Sequence, residues 1–177
     1  LGFGSITKAI ETTGSLSVKG SIDINPDGSY TTESQLDFDE VFGASKDVIK
    51  SFADHLYVDP PANQQPVSGI TWVDLNGDSP STAITYTISS SWSGSGLLII
   101  DGHRNTSTQD IAALEISGSW NFDGFIWVIG KIKISGTPVI TGSVFAESTV
   151  DVDSTLTGNA TLNYSSTGVA DAFGLLT

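Results

Sequence analysis

Two consecutive stretches of this chain repeat each other without a gap. Leu114 to Lys131 reads LEISGSWNFDGFIWVIGK, and Ile132 to Thr149 reads IKISGTPVITGSVFAEST. Leu114, Ile116, Ser117 and Gly118 align with Ile132, Ile134, Ser135 and Gly136. Phe122 aligns with Ile140, Gly124 with Gly142, and Ile126 with Val144. A fixed period of this kind marks a fold made by stacking one unit on the next, because a single unit cannot bury its own apolar face. Related copies lie on either side. VDVDSTLTGNATLNY, from Val150, restarts the alternation at Val150 and Val152, with Gly158 expected in the glycine slot. Upstream, GLLIIDG (Gly96 to Gly102) matches GFIWVIG (Gly124 to Gly130), and SLSVKG (Ser15 to Gly20) resembles LEISG.

Each copy contains two kinds of strand. L-E-I, I-K-I and V-D-V alternate, which places apolar side chains on one face and charges on the other. FIWVI and LLII are unbroken apolar runs, the pattern of a strand covered on both faces. They are far too short to span a membrane as helices. The glycines fall between these runs, where the chain must turn and a positive φ is tolerated. The expected fold is mainly β, a right-handed parallel β-solenoid of about 18 residues per coil, three sides of about six residues each. An antiparallel sandwich is the alternative reading of the same strands. The expectation is one domain over residues 1–177, with the main repeats over about 94–165.

The N-terminal half departs from the repeat. In VFGASKDVIKSFADHLY, Val48, Ile49, Phe52 and Leu56 recur at helical spacing and Ser45 suits an N-cap. This predicts one helix over about 46–56, covering the doubly apolar face or capping an open end. The prolines of VDPPANQQPVSG predict a loop, and ITWVDLNGDSPSTAITYTISSSW predicts two strands about a turn at Asp74 to Pro80.

Composition narrows the function classes. Lys and Arg total 7 against 20 Asp and Glu, a net charge of -13, which argues against nucleic acid or an anionic membrane surface as partner. The absence of cysteine excludes disulfides, thiolate metal sites and cysteine nucleophiles. The absence of methionine leads to the expectation that Leu1 follows a processing or chain boundary.

Few residues promise chemistry. His55 and His103 have no Ser or Asp partner at a recognisable spacing, and SWSGSG fails the nucleophile-elbow pattern because Ser93 stands where glycine is needed. Arg104 is the single arginine. Glu115, Lys131, Lys133, Asp151 and Asp153 are expected to point outward, where charge ordinarily serves solvation. No catalytic residue and no enzyme activity is expected. DLNGDS carries side-chain oxygens at Asp74, Asn76 and Asp78, the first half of a calcium-loop pattern. These three are candidate Ca²⁺ ligands; the competing reading is an Asx turn, since Thr85 stands where the closing Glu belongs. Trp72, Trp92, Trp120 and Trp127 would form a sugar platform if exposed, with Trp127 in FIWVI expected in the core.

The succession GSGLLIIDG, LEISGSWNFDGFIWVIGKIKISGTPVITGSVFAES and LTGNATLNYSS resembles the C-terminal domain of PilX-like type IV pilus minor pilins and related pilus-assembly proteins. GSITKAIETTGSLSVKGSIDINPDG and FDEVFGASKDVIKSFADHLYVDPP fit the same resemblance, while HRNTSTQDIAA is a longer insertion than the family pattern. The resemblance implies a non-enzymatic bacterial surface domain that acts in pilus assembly or adhesion. It implies other pilins or pilus proteins as partners, a surface or carbohydrate ligand, and membrane attachment only through an apolar helix expected ahead of Leu1. A bactofilin-like polymer and a carbohydrate-active β-helix are the alternatives from other classes.

Overall fold

The computed structural model describes residues 2–75, 84–102 and 111–177. The described chain is mainly β, with parallel strands, three short helices and no closed barrel. Its centre follows the repeat. Four short strands, β6 (Tyr86–Ile88), β8 (Leu114–Ile116), β10 (Ile132–Ile134) and β12 (Val150–Asp153), alternate along the chain with β7 (Ser93–Asp101), β9 (Asn121–Ile129), β11 (Val139–Ala146) and β13 (Thr161–Tyr164). The short strands pair in parallel with one another, and so do the longer ones. Ile132 lies beside Leu114 and Val150 beside Ile132, so residues eighteen apart in sequence stack directly. The same offset places Val144 on Ile126 and Gly142 on Gly124. The upstream match of GLLIIDG to GFIWVIG is also a physical pairing, Gly96 with Gly124 and Leu97 with Phe125.

The described strands form two sheets rather than three. β7, β9 and β11 each supply two faces, divided by a glycine. In β9, Asn121 and Asp123 are exposed and Phe122 is buried; beyond Gly124 every residue is buried. Gly96, Gly124 and Gly142 have φ of 90°, 142° and 137°, a region closed to ordinary side chains. They also stack so tightly that a Cβ on any one would strike the carbonyl oxygen of the glycine before it in the column. Gly158 does not join this column: the partner of Gly142 is Tyr164, and Gly158 closes a turn by donating its N–H to the Ser154 carbonyl. The last repeat carries extra residues there, which displaces the glycine.

The stack is closed by chain that comes from elsewhere. β1 (Ile10–Thr12) pairs with the second half of β11, β2 (Leu16–Lys19) with β12, and β3 (Asp23–Asn25) with β13. The predicted kinship of SLSVKG with LEISG is thus a stacking relation. At the opposite end, β5 (Ile70–Asp74) pairs with β7 and β4 (His55–Val58) with β5, which extends the sheet of the longer strands beyond β7.

Two cores result. The inner one packs Leu98, Ile126, Val144, Leu114, Ile132 and Val150 between the sheets. The outer one lies on the apolar runs, where Leu97, Ile99, Phe125, Trp127 and Phe145 meet helices α1 (Phe38–Phe42), α2 (Lys46–Lys50) and α3 (Ser166–Gly174). Trp127 stacks on Phe145 with centroids 4.0 Å apart and meets Phe38 and Phe42 edge-on. Its indole N–H donates to Glu147 at 2.8 Å.

The single helix expected over 46–56 is corrected in length and number. Ser45 does cap it, accepting from the Val48 N–H, but it ends at Lys50 and residues 55–58 form β4. The reason is long-range pairing: the Asp54 N–H donates to the Ile70 carbonyl, and the Asp54 carboxylate accepts from the Ile70 N–H. Two ladder-like bonds to β5 outweigh a weak local helix propensity. The cover over the apolar runs is shared with α1 and α3.

Candidate functional site

The alternation of the short strands builds a patterned outer face. Tyr86, Ile88, Leu114, Ile116, Ile132, Ile134, Val150 and Val152 turn inward and are buried. The residues between them stack outward as Thr87, Glu115, Lys133, Asp151 and Ser17. Stacked strands lie about 4.8 Å apart, so a negative, a positive and a negative charge stand in close succession. Lys131 reaches the same column, its Nζ 2.7 Å from Asp151 Oδ2. Lys131 and Lys133 are therefore set among carboxylates.

One turn converts this face into a groove of about 470 Å³, lined by Lys19, Glu115, Lys133, Asp151, Asp153 and Leu156 among others. Residues 154–159 rise beside the sheet and are held at several points. The Ser154 N–H donates to the Lys19 carbonyl at 3.0 Å, and Ser154 Oγ accepts from the Ser21 N–H at 2.7 Å. Thr157 Oγ1 accepts from the Gly136 N–H at 2.8 Å, and the Ser21 hydroxyl donates to Asn159 at 2.8 Å. Asp153 takes the Thr155 hydroxyl at 2.6 Å and its N–H at 3.1 Å, and these bonds hold its carboxyl below the usual range. The anchored turn presents Leu156, 95% exposed, at the lip. A floor of paired charges with one apolar lip suits a ligand that offers hydroxyls or both signs of charge beside a nonpolar patch.

The other predicted site residues are not brought together. Asp74 ends β5, is buried, and its Oδ2 lies 2.6 Å from Lys50 Nζ. Asn76 and Asp78 lie outside the described residues, as do His103 and Arg104. No group of three or more His, Cys, Asp or Glu suited to a metal ion occurs among the described residues. His55 stacks on Tyr57 with centroids 6.1 Å apart and stands 3.3 Å from Ser68 Oγ. The tryptophans form no platform: Trp72, Trp120 and Trp127 are buried, and Trp92 is half-buried against Trp120. Their large apolar area fills the two cores.

Sequence reading missed the groove's second wall. Ser17 and Lys19 arrive from β2, more than a hundred residues before their neighbours. The signal was present in the likeness of SLSVKG to LEISG. It also missed Asn63, which ties off the edge of β6. Its N–H donates to the Thr87 carbonyl at 2.8 Å, and its side-chain oxygen accepts from the Ser89 and Ser90 N–H groups and the Trp92 indole. Among the described residues no helix is long and apolar enough to cross a membrane. No known protein family, curated protein or solved structure matches this chain.

Proposed function

We propose that this chain is the globular domain of a PilX-like type IV pilus minor pilin or pilus-assembly protein, displayed at the bacterial surface and acting in assembly or adhesion without catalysis. In this reading the two sheets are the sides of a right-handed parallel β-solenoid with coils of about 18 residues. Right-handed crossovers are the rule for parallel strands. The observation that carries the reading is the direct stacking of Leu114, Ile132 and Val150. It makes a stiff body in which each repeat holds its neighbours and the outward column is free to be varied for contact. The family resemblance of the glycine-aliphatic runs supplies the pilus context. The anchored groove supplies a surface for a carbohydrate or another exposed ligand, and pilins or pilus proteins are the expected partners. Asn63 at one end and β1 to β3 at the other tell against an end-to-end polymer, which needs bare ends.

The test uses intact cells that carry the gene. Antibody against this chain should label the cell surface, and the protein should appear in the fraction of filaments sheared from cells. Deletion of the gene should reduce filament number or attachment. Protein confined to the cell interior, with filaments and attachment unchanged by the deletion, would overturn the proposal.

A further inference from the structure

Lys50 closes α2, whose buried residue Ile49 seats the helix on the outer core. The Lys50 ammonium reaches across to the end of β5 and donates to Asp74 Oδ2 at 2.6 Å. Asp74 is only 6% exposed. Beside it in the parallel register stands Asp101, the last residue of β7 and 8% exposed. Paired strands lie about 4.8 Å apart, and alternation puts both carboxylates on the outer face of the sheet, with Trp72 and Ile99. The next residue in the same register column is Ile129, also buried. An amine, the carboxylate it bonds and a second carboxylate next in line therefore meet at the rim of an apolar core.

We propose that Lys50 and Asp74 join covalently, through an intramolecular isopeptide bond whose formation Asp101 assists. Lys50 Nζ attacks Asp74 Cγ; an N–C bond forms and one C–O bond of the carboxylate breaks. Asp101 accepts in turn the two protons that leave the ammonium and passes them to the departing oxygen, which leaves as water. One N–H remains on the amide, and the step needs no co-reactant. Condensation of free amine and carboxylate is unfavourable in water. Here the hydrogen bond already sets Nζ against an oxygen bonded to Cγ. Attack proceeds from separations of about 3–3.5 Å, and such placement is equivalent to concentrations on the order of 10⁵–10⁸ M. Buried charges carry a desolvation cost, which a neutral amide relieves. Exclusion of bulk water then protects the product from hydrolysis. The bond closes a loop that contains β4 and fixes α2 to β5. It stands independently of the pilus reading.

The test is mass spectrometry of the whole purified chain after chymotrypsin digestion. Cuts after Phe52 and Trp72 should release Lys50 and Asp74 in one branched peptide, lighter than its two parts by one water. Asp27-Gly28, Asp101-Gly102 and Asp123-Gly124 can also lose water by cyclising, so the branched peptide decides and the intact mass does not. Lys50→Arg retains the ion pair but should yield no branched peptide. It should also melt at a lower temperature than the unaltered chain, because the cross-link restricts the unfolded state. Asp101→Ala leaves both joined groups in place and should slow joining at least about a hundredfold, read as the joined fraction over time after synthesis. Separate, linear peptides carrying Lys50 and Asp74, from unaltered chain with a folded circular dichroism spectrum, would show an ion pair only and overturn the proposal. Undiminished joining in Asp101→Ala would overturn the part assigned to Asp101.

Discussion

At the scale of single residues, the column Gly96, Gly124, Gly142 decides whether successive repeats can approach. Gly124 combines a φ of 142° with a carbonyl directly behind it. Gly124→Ala should therefore cost more than about 3 kcal/mol, from backbone strain and overpacking together. Gly4, which has open space around it, serves as control. Chemical denaturation of Gly124→Ala and Gly4→Ala should give a large loss and almost none. A second residue-scale effect concerns Glu11, buried on β1, where burial raises its pKa above the ordinary value of 4.5 despite the Ser34 hydroxyl at 2.5 Å. The folded state then binds this proton more tightly than the unfolded state. Its contribution is fully present below the ordinary glutamate value and is lost as pH rises through the raised folded value. Glu11→Gln keeps an acceptor for Ser34 and removes the titration. It should raise the melting temperature at neutral pH and flatten the fall of stability across the mildly acidic range.

At the scale of elements, the helices α1 to α3 do the work that the sequence assigned to one. Phe173 on α3 touches Phe125, Phe42 and Phe3 with centroids 5.0 to 5.3 Å apart. Phe173→Ala should cost about 3 kcal/mol, whereas Val48→Ala, at a half-exposed position on α2, should cost well under 1. Thermal melting of the two variants checks the contrast. The repeat strands were legible because alternation and glycine spacing are local signals that the stack amplifies. Residues 51–58 were not. Val48, Phe52 and Leu56 keep helical spacing, yet all three are about half exposed, and only Ile49 of that set is buried. Spacing reports which residues could share a face; it does not say that the face is used. Pairing of β4 with β5 is a contact that no local pattern announces.

At the scale of the whole molecule, the beginning and end of the chain share one seam. β1, β2 and β3 lie against β11, β12 and β13, and the Tyr164 hydroxyl donates to the Ile6 carbonyl at 2.9 Å. In stacked repeats each unit contacts only its neighbours, and the terminal units are the caps that keep the stack soluble. Here removal of residues 2–34 would bare the edges of three strands and uncover part of both cores, so the remainder should aggregate rather than form a shorter folded stack. Soluble expression and circular dichroism of the truncated chain check this. The intact chain should unfold in one cooperative step and fold slowly, because its closing contacts span nearly the full sequence. The groove was half legible for the same reason: Glu115, Lys133 and Asp151 follow from the period, but Ser17 and Lys19 join them only through this closure.

That seam also sets how the molecule would bear tension. A pull shared between the start of the chain and a ligand in the groove passes from β2 straight into β12, crossing one strand boundary, while the inner coils carry no load. In a tether the weak point would be this junction, and its rupture would release the grip and uncover both cores together, so the spool would come unwound with it.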